Sequence, residues 1–598
     1  MTMDSQTKTW TSLPAMFFDQ ARRHGEEPFL SAKRDGNWHH LSWNEVAKRI
    51  ARLAEGLTAL GIKTGDRVAI LSENRPEWVI ADIAIMALGA ITVPLYTTYT
   101  TRDHLHALEN SGSKAIIVSK TNLTKTVLPA AHQLDCLKTA ILMEPYKITQ
   151  HLNLDILNWQ DVLGTQKGDV AALIEGLAIY KRTDPACIIF TSGTGGAPKG
   201  VVLSHGSILH NCEGALDVMQ AFKFNLKKFL SFLPLSHAYE HTGGLFLPII
   251  IGCQIYYAES LEKLGANMIE VKPTAMLVVP RLFEMIKGRI EIALEKEGGK
   301  KQKLFRRTLE LGVKKFKNPA SLTLLERVEN KCLDLLVRKK VQKRFGGKMQ
   351  AYVSGGAALN LEVGTFFAAL GIRLLQGYGL TETGPLISVT RPPNNKIGSV
   401  GPPVKNTEVK IADDGEILVR GELVMTGYWL DVDATDKVIK DGWFHTGDIG
   451  EIDSDGDLRI TDRKKDIIVF DKGDNVSPQR IEGFLTLEHE IAQAMVYGNA
   501  HPYLVGLITP DPDWLARWAK SEGKATTLEA LQGDKDLLKA VGEAVTRVNS
   551  RLSNIERVRR FTLAKEPFSV ENEQMTPTLK IRRHVLKEVY GDDLEGLY

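Results

Sequence analysis

Between Ala186 and Val279 four short apolar runs, CIIFTSG, KFLSFLPL, CQIYYA and AMLVVP, each break off into a polar loop. Runs of this length that lack polar alternation are strands buried on both faces, which requires a largely parallel sheet covered by helices. Residues 40–130 repeat the rhythm, with a helical segment, WNEVAKRIARLAEGLTAL, ahead of the runs RVAIL and KAIIVS. The expected class is therefore α/β built from βαβ units, with ligands held by loops at the carboxyl ends of the strands.

At 598 residues the chain exceeds one core, and a prior of roughly 150 residues per domain predicts two to four units. After Thr407 the pattern turns to hairpins, EVKIADDGEILVRG and GEIDSDGDLRITDR, with Asp414-Gly415 and Asp455-Gly456 as the turns. The charged run Asp462 to Asp466 reads as a hinge. The expected architecture is a large amino-terminal domain over 1–463, of βαβ-layered sheets plus a β-rich subdomain, and a small mobile α+β domain over 464–598.

Composition removes several classes. A hydrophobic share of 43% argues against disorder, and a net charge of +3 gives no reason to expect nucleic acid. Cys136, Cys187, Cys212, Cys253 and Cys332 form no CxxC or Cys/His spacing that would hold zinc or an iron cluster. No basic start followed by an apolar core is seen at the amino terminus, so the expected location is a reducing cytoplasm. The windows Trp78 to Tyr96 and Leu245 to Tyr257 are respectively interrupted by Asp82 and too short to span a bilayer, and read as buried helix and strand. Charge is uneven along the chain: the helical segment 281–348 carries 20 Lys and Arg against eight Asp and Glu, a net +12 that leaves −9 elsewhere. A solvated helical face is its simplest reading, and a site for an anionic lipid surface or a phosphorylated ligand is the alternative.

Phe190 to Val201, FTSGTGGAPKGV, joins a strand to a glycine-rich loop with three hydroxyls (Thr191, Ser192, Thr194) and Lys199. A Walker A loop needs Gly-Lys-Ser/Thr, and here Lys199 lies between Pro198 and Gly200, so this is a phosphate loop of another kind. SGGAALN (Ser354 to Asn360) brings two glycines to a strand end, where a flat ring could approach the backbone. QGYGLTETG (Gln376 to Gly384) offers a stacking tyrosine and, in Glu382, a hard oxygen ligand. DGWFHTGDIG (Asp441 to Gly450) contains Asp448, suited to paired ribose hydroxyls.

These motifs, in this order, resemble the adenylate-forming superfamily of acyl-CoA synthetases, luciferases and peptide-synthetase adenylation domains, from about residue 30 to near the carboxyl end. LPLSHAYEHTGG, DGWFHTGDIGEIDSDGDLRITDRKKDIIV and MTPTLKIRR look most like long-chain fatty-acid–CoA ligases. The resemblance implies two half reactions: a fatty acid and ATP give acyl-AMP and pyrophosphate, then the thiol of CoA displaces AMP. It assigns the β and γ phosphates to Thr191, Ser192, Gly193, Thr194, Gly196 and Lys199. Magnesium goes to Thr191 and Glu382, and adenine to Gly355, Gly356, Ala357 and Tyr378 beside Gly379. The α-phosphate falls to Thr381 and the ribose to Asp448 and Arg463. Lys580 matches the catalytic lysine and His237 a histidine near the carboxylate, while His241 reads as structural. Lys465 takes the hinge position, about which rotation would withdraw Lys580 and bring Gly473 to Val476 toward the thioester site.

The chain departs from the superfamily pattern at Gly195, where a second hydroxyl is usual, and at Val469, where some relatives have lysine. A fatty-acyl-AMP ligase delivering to a carrier protein would carry an extra segment near the hinge, and none stands between Asp462 and Pro478. A non-catalytic nucleotide-binding protein would lack Lys580 or Glu382. Reversible contact with an anionic membrane surface is expected through 281–348, in a segment that offers no apolar anchor to the eye. Gly243 to Cys253 and Met276 to Phe283 are candidates for an acyl tunnel, with core packing the simpler reading.

Overall fold

The computed structural model describes residues 10–145, 153–164, 166–191, 197–392, 396–576 and 580–598. Two eight-stranded sheets form its larger part. One runs, from edge to edge, Gly427–Tyr428, Lys199–Ser204, Pro185–Thr191, Ile91–Leu95, Arg67–Leu71, Ala115–Val118, Thr139–Leu142 and Asp155–Asn158. It is parallel from Pro185–Thr191 to Asp155–Asn158 and antiparallel where Lys199–Ser204 folds back. The other contains Leu374–Gly379, Ala351–Ser354, Ala275–Val278, Lys228–Ser231 and Gln254–Tyr257 as parallel neighbours, with antiparallel strands at both edges. The expected buried strands thus form, divided between two sheets.

Helix Pro76–Ala87, PEWVIADIAIMA, touches strands of both sheets and is buried at every one of its residues. A helix apolar on all sides has to be covered on all sides. Asp82 sits in its middle without solvent exposure because His241 reaches it, Nε2 to Oδ2 2.8 Å. A buried charge stripped of such a partner costs roughly 3–5 kcal/mol. The pair explains how an acid interrupts this window and gives His241 the structural role expected of it.

The hairpins after Thr407 form a five-stranded sheet of Glu408–Ile411, Glu416–Arg420, Trp443–Ile452, Ile439–Lys440 and Leu458–Arg463. In its longest strand burial alternates from Trp443 to Gly450, the period of a sheet with one face covered. From Ile468 onward the chain builds separate apolar clusters around a three-stranded sheet of Ile491–Tyr497, Leu504–Pro510 and Val558–Leu563.

The basic segment is helical as expected, through Pro280–Glu297, Gly299–Lys317 and Leu324–Leu333, continuing to Arg344. A solvated face describes it incompletely. Arg338 is buried, its guanidinium donating to the carbonyls of Ala369 (2.6 Å) and Thr308 (2.8 Å), and several leucines face outward instead.

Candidate active site

The phosphate-loop motif is flanked by an antiparallel pair. Thr191 stands opposite Lys199, and Phe190 opposite Gly200, where Cβ atoms would collide with Ile188 at 2.7 Å. Ser192, Gly193, Thr194, Gly195 and Gly196 lie outside the described residues. Among the described residues Thr191 Oγ1 reaches only the Lys199 carbonyl, at 3.5 Å, a weak contact. Lys199 Nζ lies 4.8 Å from the centroid of the Tyr428 ring. The Tyr428 hydroxyl donates to Glu382 Oε1 at 2.9 Å, leaving Oε2 with no hydrogen bond among the described residues. Tyr428 therefore joins the phosphate-loop lysine to the acid of QGYGLTETG. In the sequence this residue is one tyrosine in GELVMTGYW, with no motif around it.

The TETG turn is anchored from behind. Asn211 donates to the Thr383 carbonyl at 3.0 Å and accepts the Leu386 N–H, while Thr242 Oγ1 donates to the Gly384 carbonyl at 2.8 Å. Gly379 owes its place to backbone proximity: a Cβ there would stand 1.6 Å from the Pro385 carbonyl oxygen. Thr381 opens the short helical turn that carries Glu382.

Asp448 and Arg463 are directly opposed in the hairpin of Trp443–Ile452 and Leu458–Arg463, with Nε 3.4 Å from Oδ1. Tyr378, near the end of its strand, donates to Asp448 Oδ2 at 2.8 Å. Burial pushes the Asp448 carboxyl upward, and Arg463, the Tyr378 hydroxyl and Lys580 oppose it. Gly355 lies against the Tyr239 ring, whose hydroxyl donates to the Val353 carbonyl at 2.7 Å. Gly356 (φ +82°) and Ala357 are open to solvent beside it.

His237 caps the short helix Ala238–Glu240, its Nδ1 accepting the Tyr239 N–H at 3.1 Å, so Nε2 carries the ring proton. Burial lowers this imidazole to about 4, with the charge of Lys580 adding to the effect, and the ring is neutral at pH 7. Lys580 lies in a cleft, accessible to solvent yet walled by protein. Burial and the nearby Arg463 hold its ammonium below the ordinary lysine range, against the pull of Asp448 and Glu382. The Thr576 N–H donates to the Lys580 carbonyl at 2.8 Å and the Lys580 N–H to Thr576 Oγ1 at 3.0 Å. The carboxyl-terminal lysine and the acids and histidine of the large part thus share one cleft, although more than 100 residues separate Lys580 from Arg463.

Behind His237, the π-helical turn His241–Phe246 leaves room for Glu240, whose carboxyl occupies the space a Gly244 side chain would need, 2.4 Å from its Cβ position. Neither Glu240 oxygen makes a hydrogen bond of good geometry, and a nearby Ser231 hydroxyl offsets burial only in part. Burial pushes this carboxyl up to about 8. The folded state therefore keeps a proton that the unfolded chain gives up near 4.5. That contribution to stability is complete below 4.5 and is lost as pH rises through 8, to a total on the order of 5 kcal/mol. Glu240→Gln should be close to wild type in urea unfolding at pH 5 and more stable than wild type by a margin that grows to pH 9. A margin independent of pH would mean the carboxyl is charged in the fold.

At the junction, Lys464 is tied to Asp414 (2.6 Å) and Glu416 (3.0 Å), whereas Lys465 is exposed and makes no ion pair among the described residues. Beyond it, Ile468–Val469 and Asn475–Val476 form a small hairpin with Gly473 at φ +87° in its turn.

A two-part α/β chain that gathers a lysine, a neutral histidine, a tyrosine-held acid and an Asp–Arg pair in one cleft is built as a nucleotide-handling enzyme. The family model of AMP-binding enzymes matches residues 17–429, and that of the AMP-binding enzyme C-terminal domain matches 465–598. A long-chain-fatty-acid–CoA ligase of Mycobacterium bovis is 33% identical over 98% of this chain and 97% of its own. Long-chain-fatty-acid–CoA ligase 6 of Mus musculus is 30% identical over 98% of this chain and 88% of its own. Among solved structures, the adenylation domain of a Mycobacterium chelonae carboxylate reductase aligns with a TM-score of 0.73 at 21% identity, covering 99% of this chain and 92% of that one. ATP-bound MatB of Rhodopseudomonas palustris aligns at 0.67 and 20% identity, covering 98% and 99%. These likenesses establish a shared fold. The chain belongs to the AMP-binding enzyme family.

Proposed function

We propose that this protein is a long-chain fatty-acid–CoA ligase: it activates a fatty acid with ATP to acyl-AMP and transfers the acyl group to CoA. The observation that carries the reading is the convergence of Lys580, His237, Glu382, Asp448 and Arg463 on one cleft, together with relatives so named along the whole chain.

In the first half reaction a carboxylate oxygen attacks the α-phosphorus and the bond to the pyrophosphate oxygen breaks. Two anions must meet, so positive charge has to be pre-positioned where they do. Lys580 would span carboxylate and α-phosphate, and the His237 Nε2–H would donate to the carboxylate. Asp448 and Arg463 would orient the ribose, Tyr378 and Gly355 to Ala357 would bound the adenine, and Thr381 would face the α-phosphate. Lys199 would face the departing phosphates. Thr191 Oγ1 and Glu382 Oε2, which has no hydrogen bond among the described residues, are hard donors of the kind magnesium takes alongside nucleotide phosphates, and its charge would offset theirs. Among the described residues no group of three or more His, Cys, Asp or Glu could hold a metal ion.

In the second half reaction the CoA sulfur attacks the acyl carbon and AMP leaves with the bonding pair. Lys580 would obstruct that approach, so we assign the hinge to Lys465, between domains 1–463 and 464–598, and the incoming face to the Gly473 turn. A compact junction without an added segment favours transfer to CoA over a fatty-acyl-AMP ligase. Reversible contact with an anionic membrane through 281–348 belongs to the same reading; no helix of the described residues is long and apolar enough to cross one. The test is thioester formation with ATP, magnesium, CoA and fatty acids from acetate to long chains. Thioester peaking at long chains is expected; pyrophosphate without thioester would indicate an acyl-AMP ligase.

A further inference from the structure

A helix runs unbroken from Leu324 to Arg344 on the outer side of the basic segment, with π-helical turns at Asp334–Arg338. Its 21 residues extend about 30 Å. Its inner side is fixed: Leu333 and Val337 join the apolar cluster of Phe305, Leu311 and Phe367, and Arg338 is held by three backbone carbonyls and Asp334. The outer side carries Leu324, Leu325, Val328, Cys332, Leu335 and Leu336, all exposed, with Leu324 at 79% and Leu325 at 84%. Spaced at 0, 1, 4, 8, 11 and 12 positions from Leu324, they fall on one helical face. Isolated exposed leucines need no explanation, but a continuous row on a rigid helix does.

Charge indicates what covers this row. Arg327, Lys331, Lys339, Lys340, Lys343 and Arg344 are exposed along the same helix, and none has an acidic partner within ion-pair distance among the described residues. The helix's own acids are used up inward, Glu326 on Lys314 (2.8 Å), Glu329 on Arg307 (2.9 Å) and Asp334 on Arg338 (2.6 Å). A second copy of the chain docked by a two-fold axis would set this cationic face against itself. Apolar side chains ringed by unpaired cations match the interface of an anionic bilayer, acyl region to the leucines and headgroups to the lysines.

We propose that the outer face of Leu324–Arg344 is a docking surface for anionic lipid bilayers, which the helix enters lying in the plane of the interface. The apolar element missing from the sequence reading is supplied here by tertiary packing, which turns the leucines outward. The surface stands on its own residues whatever the acid activated. An enzyme whose substrate dissolves in the bilayer would gain from such a surface.

The test is co-sedimentation of the full chain with phosphatidylcholine vesicles, with and without phosphatidylglycerol, at low and high salt. Binding to the anionic vesicles alone, weakened by salt, is expected. Lys339→Gln with Lys340→Gln and Lys343→Gln should lower partitioning about 100-fold, and Leu325→Ser with Leu335→Ser by a similar factor. Both variants should keep the unfolding midpoint and the rate of thioester formation from a freely soluble acid. The surface is disproved by absence of binding, by equal binding to neutral vesicles, or by unchanged binding of either variant. Self-association of the wild type that Leu325→Ser with Leu335→Ser abolishes would give the face to a second copy and overturn the proposal too.

Discussion

Lys580→Ala should stop pyrophosphate release from ATP and fatty acid, slowing adenylation at least about 100-fold, the cost of losing one pre-positioned charge at a reacting phosphate. Conversion of supplied acyl-AMP and CoA to thioester should stay near the wild-type rate. The fold should survive the change. Lys580 makes no side-chain ion pair among the described residues, its ammonium is disfavoured by burial and by Arg463, and its bonds to Thr576 use only its backbone. Rapid-quench measurement of the two half reactions separates the outcomes. Equal loss in both would sink the assignment of Lys580 to one catalytic face.

Lys465→Pro should give the opposite result: acyl-AMP and pyrophosphate form, but thioester formation from them falls at least about 100-fold, because proline locks the φ angle that rotation must change. The substitution is locally tolerable. Lys465 is exposed, and its N–H donates no backbone hydrogen bond among the described residues, whereas Lys464 is anchored by Asp414 and Glu416. Among the described residues, the contacts that hold the carboxyl-terminal part in its present orientation include Arg281 to the Ala492 carbonyl, Arg102 to Glu573 and Arg551 to Glu362. Two of these involve only exposed charged side chains, which are weak tethers and suit a part that must move. Full thioester formation by Lys465→Pro would place the pivot elsewhere.

Much of the fold was legible from residue order. Buried strands such as RVAIL and CIIFTSG announce themselves by lacking polar alternation, and the Asp-Gly turns locate the hairpins after Thr407. The register of one such hairpin brings Asp448 opposite Arg463, a pairing implied by the motifs but not visible in their spacing. Tyr428 could not be found from sequence, because its bond to Glu382 and its contact with Lys199 join segments far apart in the chain. Glu240 and His241 are neighbours in SHAYEH with different surroundings: one carboxyl lies unpaired over a glycine, and one imidazole is matched to Asp82.

Sequence alone determined the α/β class, the order of the nucleotide motifs, the basic character of 281–348 and the identity of the residues that could carry charge to a phosphate. These follow from local composition and periodicity, which a linear chain displays openly. Tertiary structure decided which of those charges meet, which histidine is neutral in the cleft, and which side of Leu324–Arg344 faces outward. Each depends on desolvation and on contacts between distant segments, and burial has no value until the chain has packed against itself.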